Sequence, residues 1–302
     1  MHAFLDQLAN GIALGGIYAL IALGYTMVYG IVELINFAHG DVYTLGSFFA
    51  LAILSALGVS GELHGVALVV DITIAVVGAA LLCGIVGVLI ERLAYRRLRG
   101  APRLAPLITA IGVSFVLENV MMIWKGPAPV SFPEVMPNPA FVLGPLTVSL
   151  KQLLVVGLAL ALMAALHTFV KTTALGRAMR ATAQDRDAAQ LMGIDINRTI
   201  AATFFIGALL AGAGGIIWGL YYNTVYYQLG FRSGLIAFTA AVFGGIGNIP
   251  GAAIGGLLIG MTAAFSDGYI GSKWTQVVIF GILIGVLVFR PTGLLGMRVP
   301  EK

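Results

Sequence analysis

Long apolar runs separated by short polar stretches make up most of the chain. A helix of about 20 apolar residues crosses the hydrocarbon core of a bilayer, and shorter helices occur where an element is broken or re-entrant. The pattern predicts an all-α integral membrane protein, a polytopic bundle of eight or nine transmembrane helices. Nine candidate segments are present, the seventh and eighth short: Leu8 to Gly30, Val42 to Leu57, Val66 to Ile90, Leu104 to Trp124, Leu150 to Val170, Thr199 to Leu220, Gly234 to Ile246, Gly251 to Phe265 and Trp274 to Phe289.

The amino-acid composition agrees with a protein that is embedded in a lipid bilayer. Of the 302 residues, 59% are hydrophobic and 10% are charged, whereas soluble domains are roughly 45–50% apolar and about 25% charged. The net charge is +4, but the basic residues lie in loops beside apolar segments. This distribution indicates membrane topology and argues against nucleic-acid binding.

The basic residues also predict which side each loop faces. Thirteen of the seventeen Lys and Arg residues lie in 92–103, in 171–198 and from Arg290 onward, and positively charged short loops remain in the cytoplasm. We therefore expect a single transmembrane domain over residues 1–302 with a cytoplasmic C-terminus. Nine spans would place the N-terminus outside and eight would place it inside; the sequence leaves this open.

Polar residues interrupt the apolar sequence at two places, and each is a candidate part of a transport path. Asn36, His39 and Asp41 lie between the first two segments, and Glu118 lies within the fourth. Polar groups at membrane depth are costly and typically line a water-filled path. The alternatives are a cytoplasmic turn whose side chains cap two helices, and a Glu118 that reaches the lipid headgroups. One His and one Asp supply too few ligands for a metal site.

Three further stretches predict local structure. The loop Lys125 to Val148 contains six prolines, too many for a helix, and suits a stiff external connection. The Gly/Pro turn from Phe243 to Gly251 predicts a close helical hairpin, and its lack of Lys excludes a P-loop. The glycines from Gly251 to Gly260 allow a neighbouring helix to approach closely.

The loop at 171–198 contains the signals of a short helix. Thr182 followed by Asp185 predicts a capped start, and Gly193 predicts a stop about ten residues later. Three apolar residues would then share one side, as in an element that docks into a partner's groove. These are Ala188, Leu191 and Met192.

Several motifs resemble those of one transporter family. D-A-A-Q-L-M-G from Asp187 to Gly193 resembles the E-A-A-x-x-x-G signature of ATP-driven import permeases, with Asp in place of Glu. On the further stretches the whole chain resembles the branched-chain amino-acid ABC transporter permease family, in its shorter, LivH-type subunit. These stretches are Gly24 to Val32, Ile35 to Tyr43, Glu91 to Arg99, Arg103 to Gly112, Leu175 to Ala181, Phe238 to Ala252 and Phe289 to Gly296.

The resemblance implies a permease subunit of an importer for branched-chain or related amino acids in the bacterial inner membrane. Its implied partners are a related second permease, two ATPase subunits and an external substrate-binding protein. ATP would be used by the partners, so this chain would be neither an enzyme nor the carrier of a cofactor. The residues implied in coupling to the ATPases are Arg177, Arg180, Asp187, Ala188, Ala189 and Gly193.

The alternatives are the same mechanism with another substrate, an ion-coupled transporter and an intramembrane enzyme. Relatives that carry urea or short amides would use the same mechanism. An ion-coupled secondary transporter would need acid pairs within the bundle, where Glu118 stands nearly alone. An intramembrane enzyme would need a nucleophile with its base, or a metal set, and no Ser-His-Asp or H-E-x-x-H arrangement is present.

Overall fold

The computed structural model describes residues 2–59, 61, 65–102, 104–136, 138–144 and 146–296. Arg103, Pro137, Pro145, Arg298 and Lys302, which contribute to the patterns above, lie outside these ranges. Within them the helices are α1 His2–Val32, α2 His39–Ala56, α3 Gly65–Ile90, α4 Leu104–Lys125, α5 Leu150–Thr172, α6 Ala174–Gln184, α7 Arg186–Leu191, α8 Ile196–Tyr222, α9 Leu229–Gly244, α10 Ile249–Tyr269 and α11 Thr275–Phe289.

Each predicted apolar segment contains one helix, which confirms the all-α polytopic prediction. Six helices of the described chain are long and apolar enough to cross a membrane, and α9 and α11 are shorter apolar helices. The seventh predicted segment starts too late, because α9 already begins at Leu229 and ends at Gly244. The number of complete crossings remains a prediction.

The bundle is arranged around α1. In its most apolar 18-residue window, 94% of the residues are buried, compared with 17% for α4. α1 packs against α10, α8, α5 and α9. A β-carbon on Gly11 or Gly15 would lie 2.8 Å from the Cα of Met261 or Leu257, respectively, on α10. The predicted close approach at the glycine-rich part of α10 is therefore present, and α4 lies at the periphery.

Short strands join the outer ends of the helices. β1 (Val130–Ser131) pairs with β4 (Thr224–Val225), and β2 (Ala140–Leu143) forms an antiparallel hairpin with β3 (Leu146–Ser149). The proline-rich connection is free of helix over its described residues, as predicted, but the sequence did not predict the strands within it. The pairing of β1 with β4 ties this connection to the end of α8.

The turn between α9 and α10 is the predicted hairpin. Gly245 and Gly247 have φ values of 109° and 89°, which favour glycine because a β-carbon is strained there. The Asn248 side chain then accepts a hydrogen bond from the Gly251 amide at 3.0 Å and caps α10.

The predicted start of the cytoplasmic helix is wrong. α6 begins earlier, because the Thr173 hydroxyl accepts a hydrogen bond from the Gly176 amide and caps it. Thr182 consequently lies buried inside α6, where it cannot cap a following helix. The loop therefore contains two helices where one of about ten residues was expected.

Asp185 takes the capping role instead. Its backbone is extended, which ends α6, and its carboxylate accepts hydrogen bonds from the amides of Asp187 and Ala188 at the start of α7. Gly193 follows α7 with a φ of 83°, so the predicted stop is confirmed. The amide of Ile194 closes the helix by donating to the Ala189 carbonyl at 3.1 Å.

Candidate functional site

The connection between α1 and α2 folds back into the bundle. His39, the first residue of α2, packs so closely on Gly24 of α1 that a β-carbon there would collide with the imidazole ring. Gly24 lies eight residues before the end of α1 at Val32, or about 12 Å along the helix axis. The chain therefore turns at Val32 and re-enters, so α2 begins inside the protein.

Three polar side chains at this break are buried. Asn36, His39 and Asp41 are at most 5% exposed. The Tyr95 hydroxyl donates to Asn36 Oδ1 at 2.9 Å, and the Ser114 hydroxyl donates to Asp41 Oδ2 at 2.5 Å. Ala38 precedes α2 without a side-chain cap. The contacts observed thus join the break to the end of α3 and to α4.

Two atoms at the break have no hydrogen-bond partner among the described residues. They are His39 Nε2 and Asp41 Oδ1. A buried polar atom without a partner is costly, and it is typically satisfied by water or by a bound molecule. The arrangement can therefore receive a hydrogen-bond donor at Asp41 without breaking a contact that the protein already makes.

Glu118 lies one helical turn from Ser114 on the same face of α4. It is half-buried and lines a cavity of about 670 Å³ between α4, α9 and α11. The structure thus places Glu118 and Asp41 next to each other through Ser114. Asn36, by contrast, bonds to Tyr95 at the end of α3.

Sequence reasoning missed a charged cluster at that end of α3. The helix continues as a π-helical turn, Glu91–Tyr95, and a 3-10 turn, Arg96–Leu98. The fully buried Glu91 carboxylate forms salt bridges with Arg96, at 2.9 Å, and with Arg99. Partial burial lowers the pKa of the Arg99 guanidinium, and the Glu91 carboxylate opposes that shift.

This cluster also links two helices. Arg99 Nη1 donates to Asn197 Oδ1 at 2.6 Å, which joins the extension of α3 to the start of α8. In the sequence, the stretch Glu91 to Arg99 stands out only through its resemblance to a family motif. The stretch has one acid among several arginines. This pattern could have predicted the charged cluster, because a single Glu inside a basic segment is a natural ion-pair partner.

The residues implied in coupling lie on α6, on α7 and, for Gly193, just after α7. Arg177 Nη1 donates to the Thr172 carbonyl at 3.1 Å, and Arg180 donates to the Val170 carbonyl. Both arginines therefore satisfy the free carbonyls at the C-terminal end of α5. Ala189 is buried, while Asp187, Ala188 and Gly193 are exposed.

The exposed surface of α7 includes an apolar part that continues at Met192, just after the helix. Leu191 and Met192 are 89% and 83% exposed, respectively, and Ala188 lies beside them. Two large apolar side chains this exposed, one on a six-residue helix and one directly after it, are unusual for a surface that faces only water. The three apolar residues therefore lie together, as predicted, and no residue of the described chain packs over Leu191 and Met192.

Arg186, which the sequence did not single out, connects α7 to the centre of the bundle. Its Nη2 donates to the carbonyls of Ile31 at 3.1 Å and Val32 at 2.8 Å, the last two residues of α1. A cavity of about 380 Å³ next to this contact is lined by Glu33, Arg99 and residues 182–187. α7 thus contacts the helix end that leads directly into the re-entrant break.

Comparison with known proteins identifies the family of the chain. The model of the branched-chain amino acid transport system permease component matches residues 7–287. The chain belongs to this permease family. The family assignment confirms the resemblance found in the motifs and, with the apolar helices, indicates a multi-pass protein of the bacterial inner membrane.

Members of the permease family resemble the chain over nearly its whole length. It is 44% identical to the high-affinity branched-chain amino acid transport system permease protein BraD of Pseudomonas aeruginosa, covering 100% of this chain and 99% of the relative. It is 43% identical to LivH, the permease protein of the corresponding system of Escherichia coli K12, covering 99% and 97%. No solved structure gave a significant match.

Proposed function

We propose that this permease is the transmembrane subunit of an ATP-driven importer for branched-chain or related amino acids. The observation that carries the proposal is α7, a short helix with an uncovered apolar side that is bonded through Arg186 to α1. The similarity to BraD and LivH, both permeases of branched-chain amino acid transport systems, supplies the class of substrate.

The apolar side of α7 suits a groove on an ATPase subunit. Leu191 and Met192 offer extended apolar area, and Asp187 offers a charge at the helix start. Burying such side chains at the centre of an interface contributes about 1.5–3 kcal/mol each. The buried Ala189 anchors the opposite side of the helix to the permease, so that a push on α7 would be transmitted rather than absorbed.

Transmission would run along α1. Arg186 holds the end of α1, and the break that follows contains His39 and Asp41 atoms that have no partner among the described residues. When the ATPases close on ATP, a shift of α7 would displace the end of α1 and the start of α2 together. Differential contacts of this kind bias a bundle between outward and inward access.

The remaining partners follow from the same proposal. A related second permease would cover the peripheral side of the bundle, where Ile108, Val116 and Ile123 of α4 are more than 60% exposed. An external binding protein would deliver the substrate and carry most of its selection. The C-terminus would be cytoplasmic, and ATP would be bound only by the partner ATPases.

The test is uptake by proteoliposomes containing this chain, the second permease, both ATPases and the binding protein. ATP-dependent uptake of radiolabelled leucine supports the proposal. ATP-dependent uptake of urea without leucine would retain the mechanism and replace the substrate class. Uptake driven by an ion gradient in the absence of the ATPases would overturn the proposal.

A further inference from the structure

The cavity of about 670 Å³ that Glu118 lines has charges of both signs on its wall. Arg232 of α9 and Lys273, which precedes α11, lie around it with Glu118. Its apolar wall includes Phe115, Phe231 and Leu235. Ligand pockets for small molecules typically enclose about 300–1,000 Å³, so the cavity is of a size to hold an amino acid.

Arg232, in the first turn of α9, lies level with the middle of α1. It also lines a neighbouring cavity of about 240 Å³ together with Tyr18 of α1, and Tyr18 lies about 21 Å along the helix from the end of α1 at Val32. Gly230 and Gly234, on either side of Arg232 in sequence, pack against Gly40 of α2. A cation that lines cavities between helices requires water or a counter-charge, and Asp267 is an acid that lines the smaller cavity with it.

The three charges are not used to hold the fold together. Within the described part of the chain, no nitrogen of Arg232 or Lys273 lies within 4.0 Å of a carboxylate, and Glu118 has no ion pair or side-chain hydrogen bond. A cavity with separated positive and negative groups beside an apolar wall is complementary to a molecule that carries a negative group, a positive group and an apolar part.

We propose that this cavity binds a zwitterionic α-amino acid with an apolar side chain; this inference rests on the import function proposed above. Arg232 faces the carboxylate, Glu118 faces the ammonium group, and Phe115, Phe231 and Leu235 surround the side chain. Lys273 adds positive charge next to Arg232 and favours entry of the carboxylate end.

Asp41, the buried acid at the break, lies where it can bind the substrate after Glu118. Ser114 lies one turn of α4, about 6 Å, from Glu118 and donates to Asp41, whose Oδ1 atom has no partner in the described chain. An ammonium group that leaves Glu118 therefore finds a second carboxylate oxygen without a competing donor. Glu118 and Asp41 would act in turn.

The first measurement is leucine uptake by the complete reconstituted complex with Glu118→Gln or Arg232→Gln. Each variant should lower transport efficiency at least about tenfold, because a charged hydrogen-bond partner of the substrate is lost. Arg232→Lys should retain more activity than Arg232→Gln. Asn119→Ala, on the exposed side of α4 next to Glu118, serves as the control and should transport as the wild type does.

A second measurement does not depend on transport. Phe231→Cys is introduced into the same complex, whose native Cys83 is buried, and is modified with thiosulfonate reagents of either charge. The anionic reagent should react faster than the cationic one. Leucine should slow modification in this variant but not in Phe231→Cys combined with Arg232→Gln.

The two measurements separate the site from the overall function. Absence of wild-type leucine uptake would refute the proposed transport, and protection of the introduced thiol in Phe231→Cys by leucine would still support the site. Wild-type kinetics in both Gln variants, or no protection by leucine at any concentration tested, would overturn the site whatever the transport result.

Discussion

Replacing Arg186 with Ala should separate ATP hydrolysis from transport. The guanidinium is the donor in two hydrogen bonds to the carbonyls of Ile31 and Val32, at 3.1 and 2.8 Å. A hydrogen bond to a charged group contributes about 1.5–3 kcal/mol. Both bonds come from the same nitrogen and are counted here as one, and partial exposure of Arg186 places their contribution near the lower end. Because about 1.4 kcal/mol corresponds to a factor of ten, leucine moved per ATP should fall about tenfold.

The assay is the ratio of leucine uptake to ATP hydrolysis in proteoliposomes. Arg186→Lys should give an intermediate ratio, since an ammonium group lacks the planar fork of the guanidinium. Arg198→Ala is the matched control, because Arg198 is 90% exposed and pairs only with Asp195 on the same surface among the described residues. An unchanged ratio in Arg186→Ala would refute the view that α7 acts through the end of α1.

Three further predictions concern the cytoplasmic surface, the topology and the fold. A Gly/Ser linker in place of residues 187–193 should abolish co-purification of the ATPases while the chain still inserts; retained ATPase would exclude the coupling role. Cysteine at Ser131 should react with an impermeant reagent from outside, and at Thr173 only after permeabilisation; the reverse result would overturn the orientation. Glu91→Gln should lower stability in detergent by about 3–5 kcal/mol, because two arginines lose their buried counter-charge; a transition as high as that of the exposed control Asp195→Asn would contradict this.

Apolar length was enough to locate the membrane helices. A run of this kind has few alternatives, because lipid offers no partners for an unpaired backbone. The short strands were not predicted, and two of them depend on contacts between distant residues. β1 contains two residues, and its partner β4 follows almost a hundred residues later, so no local pattern indicates either strand.

The candidate site was predicted only in part. The polar residues Asn36, His39, Asp41 and Glu118 stand out because they interrupt apolar sequence, but their spacing does not reveal that α2 starts beside Gly24. Capping signals were similarly ambiguous. Thr182 matched a cap motif, yet the competing cap at Thr173 starts a helix that includes Thr182.

The role proposed for Arg232 could not be predicted from the sequence, because it depends on the fold. In the sequence it is one of four basic residues outside the cytoplasmic clusters, where alternation of the loops predicts an external position. In the structure it belongs to α9 and shares a cavity with Glu118, which lies more than a hundred residues earlier. Residues this far apart meet only through the packing of α4, α9 and α11.

The burial of α1 has a consequence for how the protein is made. α1 leaves the ribosome before the other described helices, whereas α10, its most extensive neighbour, begins about 220 residues after α1 ends. At roughly 5–20 residues per second, this interval lasts on the order of ten to forty seconds. During that time the small-residue face of α1 must be covered by lipid or by the insertion machinery. The helix that the finished protein hides most completely is therefore exposed longest during synthesis.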